Sequence, residues 1–75
     1  MQQSINHSSA QAQSQGWHDI SSAPFDRDLE LAVIDAQGTH ALVFPSRRIV
    51  GGWMNAQNMQ RLPGLQPSHW REWQR

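Results

Sequence analysis

The chain has 75 residues, with six Arg balanced by six acids and no Cys, Tyr or Lys. That length admits one domain at most. Zero net charge argues against bulk nucleic acid or an anionic membrane as dominant partner, and the lack of Cys excludes disulfides and thiolate zinc sites.

The first 16 residues, Met1 to Gly16, are rich in Gln, Ser and Ala and carry no charged side chain. Such a stretch buries too little apolar surface to offset chain entropy, so a disordered tail is expected over 1–16 and a single small β domain over 17–75. The stretch lacks the basic start and apolar run of a signal peptide. No window nears the about 20 apolar residues of a membrane-spanning helix. The expectation is a cytoplasmic protein without metal, cofactor or membrane partner.

Trp17-His18-Asp19-Ile20-Ser21-Ser22-Ala23-Pro24-Phe25 opens the domain. Ala23-Pro24 holds the chain extended, with Ile20 and Phe25 expected to pack inward and Asp26 and Asp28 to form turns. Leu29 to Asp35 alternates, with Leu29, Leu31 and Val33 on one face. Ala32 and Ile34 make the other face apolar too, which predicts a strand that is central or covered on both sides. Asp35-Ala36-Gln37-Gly38 predicts a hairpin turn, and Thr39 to Phe44 the returning strand. Pro45 removes a ladder donor and marks a strand end, an edge or a bulge, past which Ser46 to Val50 either continues the strand or forms a wide loop. Gly51-Gly52 predicts a turn or a close backbone approach, with Trp53-Met54-Asn55 starting a third strand. From Ala56 to Gln66 the pattern is weakest; Asn55, Asn58, Pro63 and Gly64 suggest turns, with Met59 and Leu62 as anchors. Trp70 and Trp73 suit a short helix by spacing and a strand by residue type, and the strand is favoured. The predicted fold is mainly β, an antiparallel meander of three to four strands.

Four Trp in so short a chain compensate for a small aliphatic core, since each buries about 200 Å². Not all four rings can be fully buried, so at least one partly exposed ring is expected, with Trp73 as the first candidate. No Gly-rich phosphate loop, nucleophile elbow or His pair at metal-binding spacing is present, so no enzymatic activity is expected. The candidate binding residues are Arg47, Arg48, Trp53, Trp70, Arg71 and Trp73, with Arg75 nearby, because Arg and Trp dominate interface hot spots and also stack on bases. The competing reading is that the Trp rings form the core and the Arg stems cover them. The expected function is a protein-interaction or self-associating module, with nucleic-acid binding through Arg and Trp as the alternative.

Trp17-x-x-Ile20-x-x-Ala23-Pro24, then an alternating strand, Gly52-Trp53 and Pro67-x-His69-Trp70, together resemble a family of small bacterial and phage-encoded domains of unknown function. The likeness runs from Trp17 to Trp73. It departs at Arg71-Glu72-Trp73, where the family continues with a Met-Pro or Leu-Pro run. The resemblance implies a small β fold and brings no catalytic residues.

Overall fold

The computed structural model describes residues 16–74. Seven short strands follow in order: β1 (His18–Asp19), β2 (Leu29–Asp35), β3 (Gly38–Ala41), β4 (Ser46–Ile49), β5 (Gly52–Asn55), β6 (Gln60–Arg61) and β7 (His69–Glu72), with one 3₁₀ turn at Ile20–Ser22. All strand pairings are antiparallel, in the order β1-β7-β2-β4-β5-β6, with β3 also on β2. The mainly β, antiparallel expectation holds. The meander of three to four strands does not, because β7 returns to the middle of the sheet and Pro45 and the turns divide the rest into shorter pieces. The tail expected over 1–16 lies outside the described residues, apart from Gly16.

β2 is central, as its two apolar faces predict. One edge pairs with β7, from Leu29↔Glu72 to Ala32↔His69. The other edge is shared: β3 takes Ala32 to Asp35, and β4 takes Leu29 opposite Ser46. The chain uses five steps from Ala41 to Ser46 to cover three from Ala32 to Leu29, so two residues are surplus. Leu42 still donates its N–H to the Leu31 carbonyl at 2.9 Å, after which Val43 and Phe44 leave the ladder, Val43 exposed and Phe44 half-buried. The expected strand over 39–44 is therefore shortened, and Ser46–Ile49 resumes it past the bulge. Pro45, lacking an N–H, belongs at such a break; its carbonyl accepts from Ala56 N–H at 2.8 Å.

The turns follow local chemistry. Asp35 accepts the N–H of Gln37 at 2.8 Å to close the β2–β3 hairpin. Gly51, at φ 86°, takes the left-handed position between β4 and β5. Asn55 and Asn58 accept the N–H groups of Gln57 and Gln60 at 2.8 and 2.9 Å between β5 and β6. Pro63-Gly64 forms a turn with Gly64 at φ 78° and a Leu65 N–H to Leu62 carbonyl bond of 3.3 Å. Leu62 is half-buried beside Trp53, whereas Met59, expected as an anchor, is 60% exposed: it occupies the loop tip at φ 62°.

The core lies on one face of the sheet. Ala23, Leu29, Leu31 and Trp70 form its centre, with Ile20, Leu42, Trp53 and Leu65 packed around them. Register explains the gathering, since Leu31 stands opposite Trp70 and Leu29 opposite Ser46. The 3₁₀ turn lies against this face. Asp19 caps it through Ser21 N–H at 3.0 Å, and Ser22 Oγ accepts the Trp70 indole N–H at 3.0 Å. Phe25, expected inside, is instead half-exposed; it bridges to Arg48 at the edge of the fold, and the Arg48 guanidinium covers its ring at 4.8 Å. The opening and closing motifs of the sequence meet here: β1 pairs with β7, Ile20 N–H donates to the Ser68 carbonyl at 3.0 Å, and the His18 ring lies 4.6 Å from that of Trp70.

Candidate functional site

The six residues singled out by sequence do not form one surface. Arg47 and Arg48 are consecutive on β4 and point to opposite faces. Arg48 stands opposite Trp53 on the core face. Its guanidinium donates to the carbonyls of Ala23 at 2.7 Å and Ser21 at 3.5 Å and lies 5.9 Å from the Trp53 ring, so it ties the 3₁₀ turn to the sheet. Trp70 is buried. Arg47 and Arg71 belong to the other face, where Arg47 pairs with Asp28 at 2.8 Å and Arg71 with Glu30 at 2.7 Å. Arg71 also covers the Trp17 ring at 4.1 Å. Trp73 extends the β7–β2 ladder through its N–H to the Asp28 carbonyl at 3.2 Å, and it is partly exposed, as are Trp17 and Trp53. Arg75 lies outside the described residues.

Arg27 pairs with Glu72. Among the described residues this leaves one guanidinium, that of Arg61, with no ion-pair, hydrogen-bond or ring partner. Arg61 ends β6 opposite Met54. It lines a cleft of about 230 Å³ with Gly51, Gly52, Trp53, Leu62, Pro63, Gly64 and Leu65. The β4–β5 turn and the Pro63-Gly64 turn supply the walls, and Trp53 and Leu65 contribute to both cleft and core. Sequence reading missed Arg61 because it sits in the stretch with the weakest pattern. The available signal was local: a cation directly before a Leu-Pro-Gly turn, with no acid between Asp35 and Glu72 to neutralise it.

Asp19 is the titratable group with a clear shift. Hydrogen bonds from the Ser21 hydroxyl and then the Ser21 N–H hold its carboxyl below the usual range. His40 lies 3.4 Å from Asp35 on the exposed hairpin. Among the described residues no group of three or more His, Asp or Glu side chains is arranged to hold a metal ion, and no helix is long and apolar enough to cross a membrane.

The structure defines a small antiparallel β domain with its core on one face and a Trp-lined cleft beside the β4–β5 turn. Comparison with protein-family models, curated proteins and solved structures gives no match. The family resemblance therefore rests on the motif residues alone.

Proposed function

We propose that this chain is a non-enzymatic protein-interaction module that engages its partner at the Trp53–Arg61 cleft. The observation that carries this reading is the distribution of positive charge. Arg27, Arg47 and Arg71 are neutralised within the fold, Arg48 is spent on backbone carbonyls, and Arg61 alone among the described residues stays available, at a cleft that Trp53 also lines. A single uncommitted Arg suits one oriented polar contact with a partner. It does not suit a nucleic-acid backbone, which needs several uncommitted cations along a track. Exposed Val43 and Val50, at 88% and 87%, add apolar surface around the sheet. A cytoplasmic location is part of the same proposal.

The test is affinity capture on the immobilised chain, with and without nuclease. A protein retained after nuclease treatment is the expected result. Material that disappears with nuclease, together with Trp quenching by oligonucleotides at low salt, would move the assignment to nucleic-acid binding.

A further inference from the structure

The cleft beside the β4–β5 turn exposes mostly polar groups, and their source decides what it takes. This step rests on the interaction reading above. Of the eight lining residues only Trp53 and Arg61 carry a polar side-chain atom. The remaining polar surface is therefore backbone, from the Val50-Gly51 and Pro63-Gly64 turns. Gly51 at φ 86° and Gly64 at φ 78° each hold the third position of a turn. A β-turn closes on the N–H of its fourth residue and leaves that of the third unused. Here Gly52 faces Ile49 across the first turn, and Leu65 N–H donates to the Leu62 carbonyl across the second. Neither the Gly51 nor the Gly64 N–H has a hydrogen-bond partner among the described residues. The Arg61 guanidinium, also without a partner there, stands on the Gly51 side: its Nη2 lies 3.8 Å from where a Gly51 Cβ would be. The hollow stays open, since a Cβ on Gly52 or Gly64 would meet no heavy atom within 4 Å.

One uncommitted cation and two idle backbone N–H groups, the latter from separate turns rather than one Gly-rich loop, suit an anion. The donor set distinguishes between anions. A carboxylate is planar and is satisfied by the guanidinium fork alone, which would leave both turn N–H groups idle. A tetrahedral phosphoryl group carries three terminal oxygens and takes donors from several sides. At about 230 Å³ the cleft admits such a group with the arm that carries it, and it falls below the roughly 300 Å³ at which sites for whole cofactors begin. We propose that the cleft binds the phosphoryl group of a phosphorylated side chain on the partner protein, with Arg61 as the charge contact and the Gly51 and Gly64 N–H groups as neutral donors.

The test titrates the full chain, labelled with ¹⁵N, with inorganic phosphate, acetyl-Gly-phosphoSer-Gly amide, acetyl-Gly-Glu-Gly amide and, at matched ionic strength, sodium chloride. The Gly51 and Gly64 amides and the Arg61 Nε–H report the site, and the Gly38 amide in the β2–β3 hairpin is the control. Both phosphate probes should move the three reporters saturably and leave Gly38 in place, with a phosphopeptide Kd on the order of 1 mM. The Glu peptide should bind at least tenfold more weakly. Arg61→Ala should lose at least tenfold for the phosphopeptide and Arg61→Lys should recover part of it, with both thermal midpoints unchanged because Arg61 is exposed. Chloride shifts equal to those of phosphate, Gly51 and Gly64 amides that stay still, or an unchanged Arg61→Ala would overturn the site. Equal binding of the Glu peptide would replace it with a carboxylate site. Inorganic phosphate binding more tightly than the phosphopeptide would overturn the side-chain source in favour of a free anion. Capture of a protein partner equally by wild type and Arg61→Ala would sink the cleft while leaving the interaction reading intact. Phosphate binding without any protein capture would sink that reading and the partner source, and leave an anion site alone.

Discussion

Ser46 is fully buried, and its Oγ finds no hydrogen-bond partner among the described residues. It faces the core opposite Leu29, where a hydroxyl gains nothing and loses its hydration. Ser46→Ala should therefore raise stability, by up to about 1 kcal/mol, read as a higher urea midpoint at unchanged slope. The neighbouring arginines make a sharper comparison. Arg47 forms an exposed pair with Asp28, and Arg47→Ala should cost no more than about 0.5 kcal/mol. Arg48 donates to the part-buried Ala23 carbonyl and lies near two rings, and Arg48→Ala should cost about 2 kcal/mol. Equal costs in a denaturant series would show that Arg48 does not tie the 3₁₀ turn to the sheet. Sequence marked both residues as one candidate surface. Strand alternation separates them, and the partners lie 19 and 25 residues away along the chain.

At the scale of elements, the 3₁₀ turn depends on β1 and β7 together. Ser22 Oγ accepts from Trp70 and donates to the Asp19 carbonyl at 2.7 Å, so one hydroxyl ties the turn at both ends. Trp70→Phe keeps a ring in the core but leaves Ser22 without its donor, and a loss of about 1–2 kcal/mol is expected in thermal or urea unfolding. Asp19 gives the turn an acid sensitivity. Its carboxyl titrates below the usual 3.8 in the folded chain. The stabilisation it supplies is fully present above that value and is lost as pH falls through the lowered one. Asp19→Asn should flatten the fall in stability below about pH 4, while wild type and variant stay parallel at neutral pH. The strand over 29–35 and the turns at Asp35–Gly38, Gly51 and Pro63-Gly64 were legible because alternation and φ preference are local. The shortening of β3 was not. Val43 and Phe44 have strand-forming side chains, and only the two-residue surplus against β2 pushes them out of the ladder.

At the scale of the molecule, the outer strands are short: β1 has two residues, β3 four and β6 two. Such edges offer few groups to a second sheet, and β3 carries Thr39 and His40 rather than an apolar row. Sedimentation should show a monomer across a wide concentration range, with the interaction directed at another protein. A concentration-dependent rise in mass, abolished by Thr39→Pro, would instead assign self-association to the β3 edge.

Sequence by itself determined the β class, the central strand and its boundaries, the turn positions and the absence of recognisable catalytic motifs, because these follow from side-chain period, backbone preference and composition. Tertiary structure decided the rest. Long-range pairing inserts β7 between β1 and β2, buries Trp70 and sets Arg71 against Glu30, 41 residues away. Which arginine remains free depends on which acids the folded chain brings within reach of the others. That outcome leaves Arg61 free at the cleft beside the β4–β5 turn, which no local pattern in the sequence encodes.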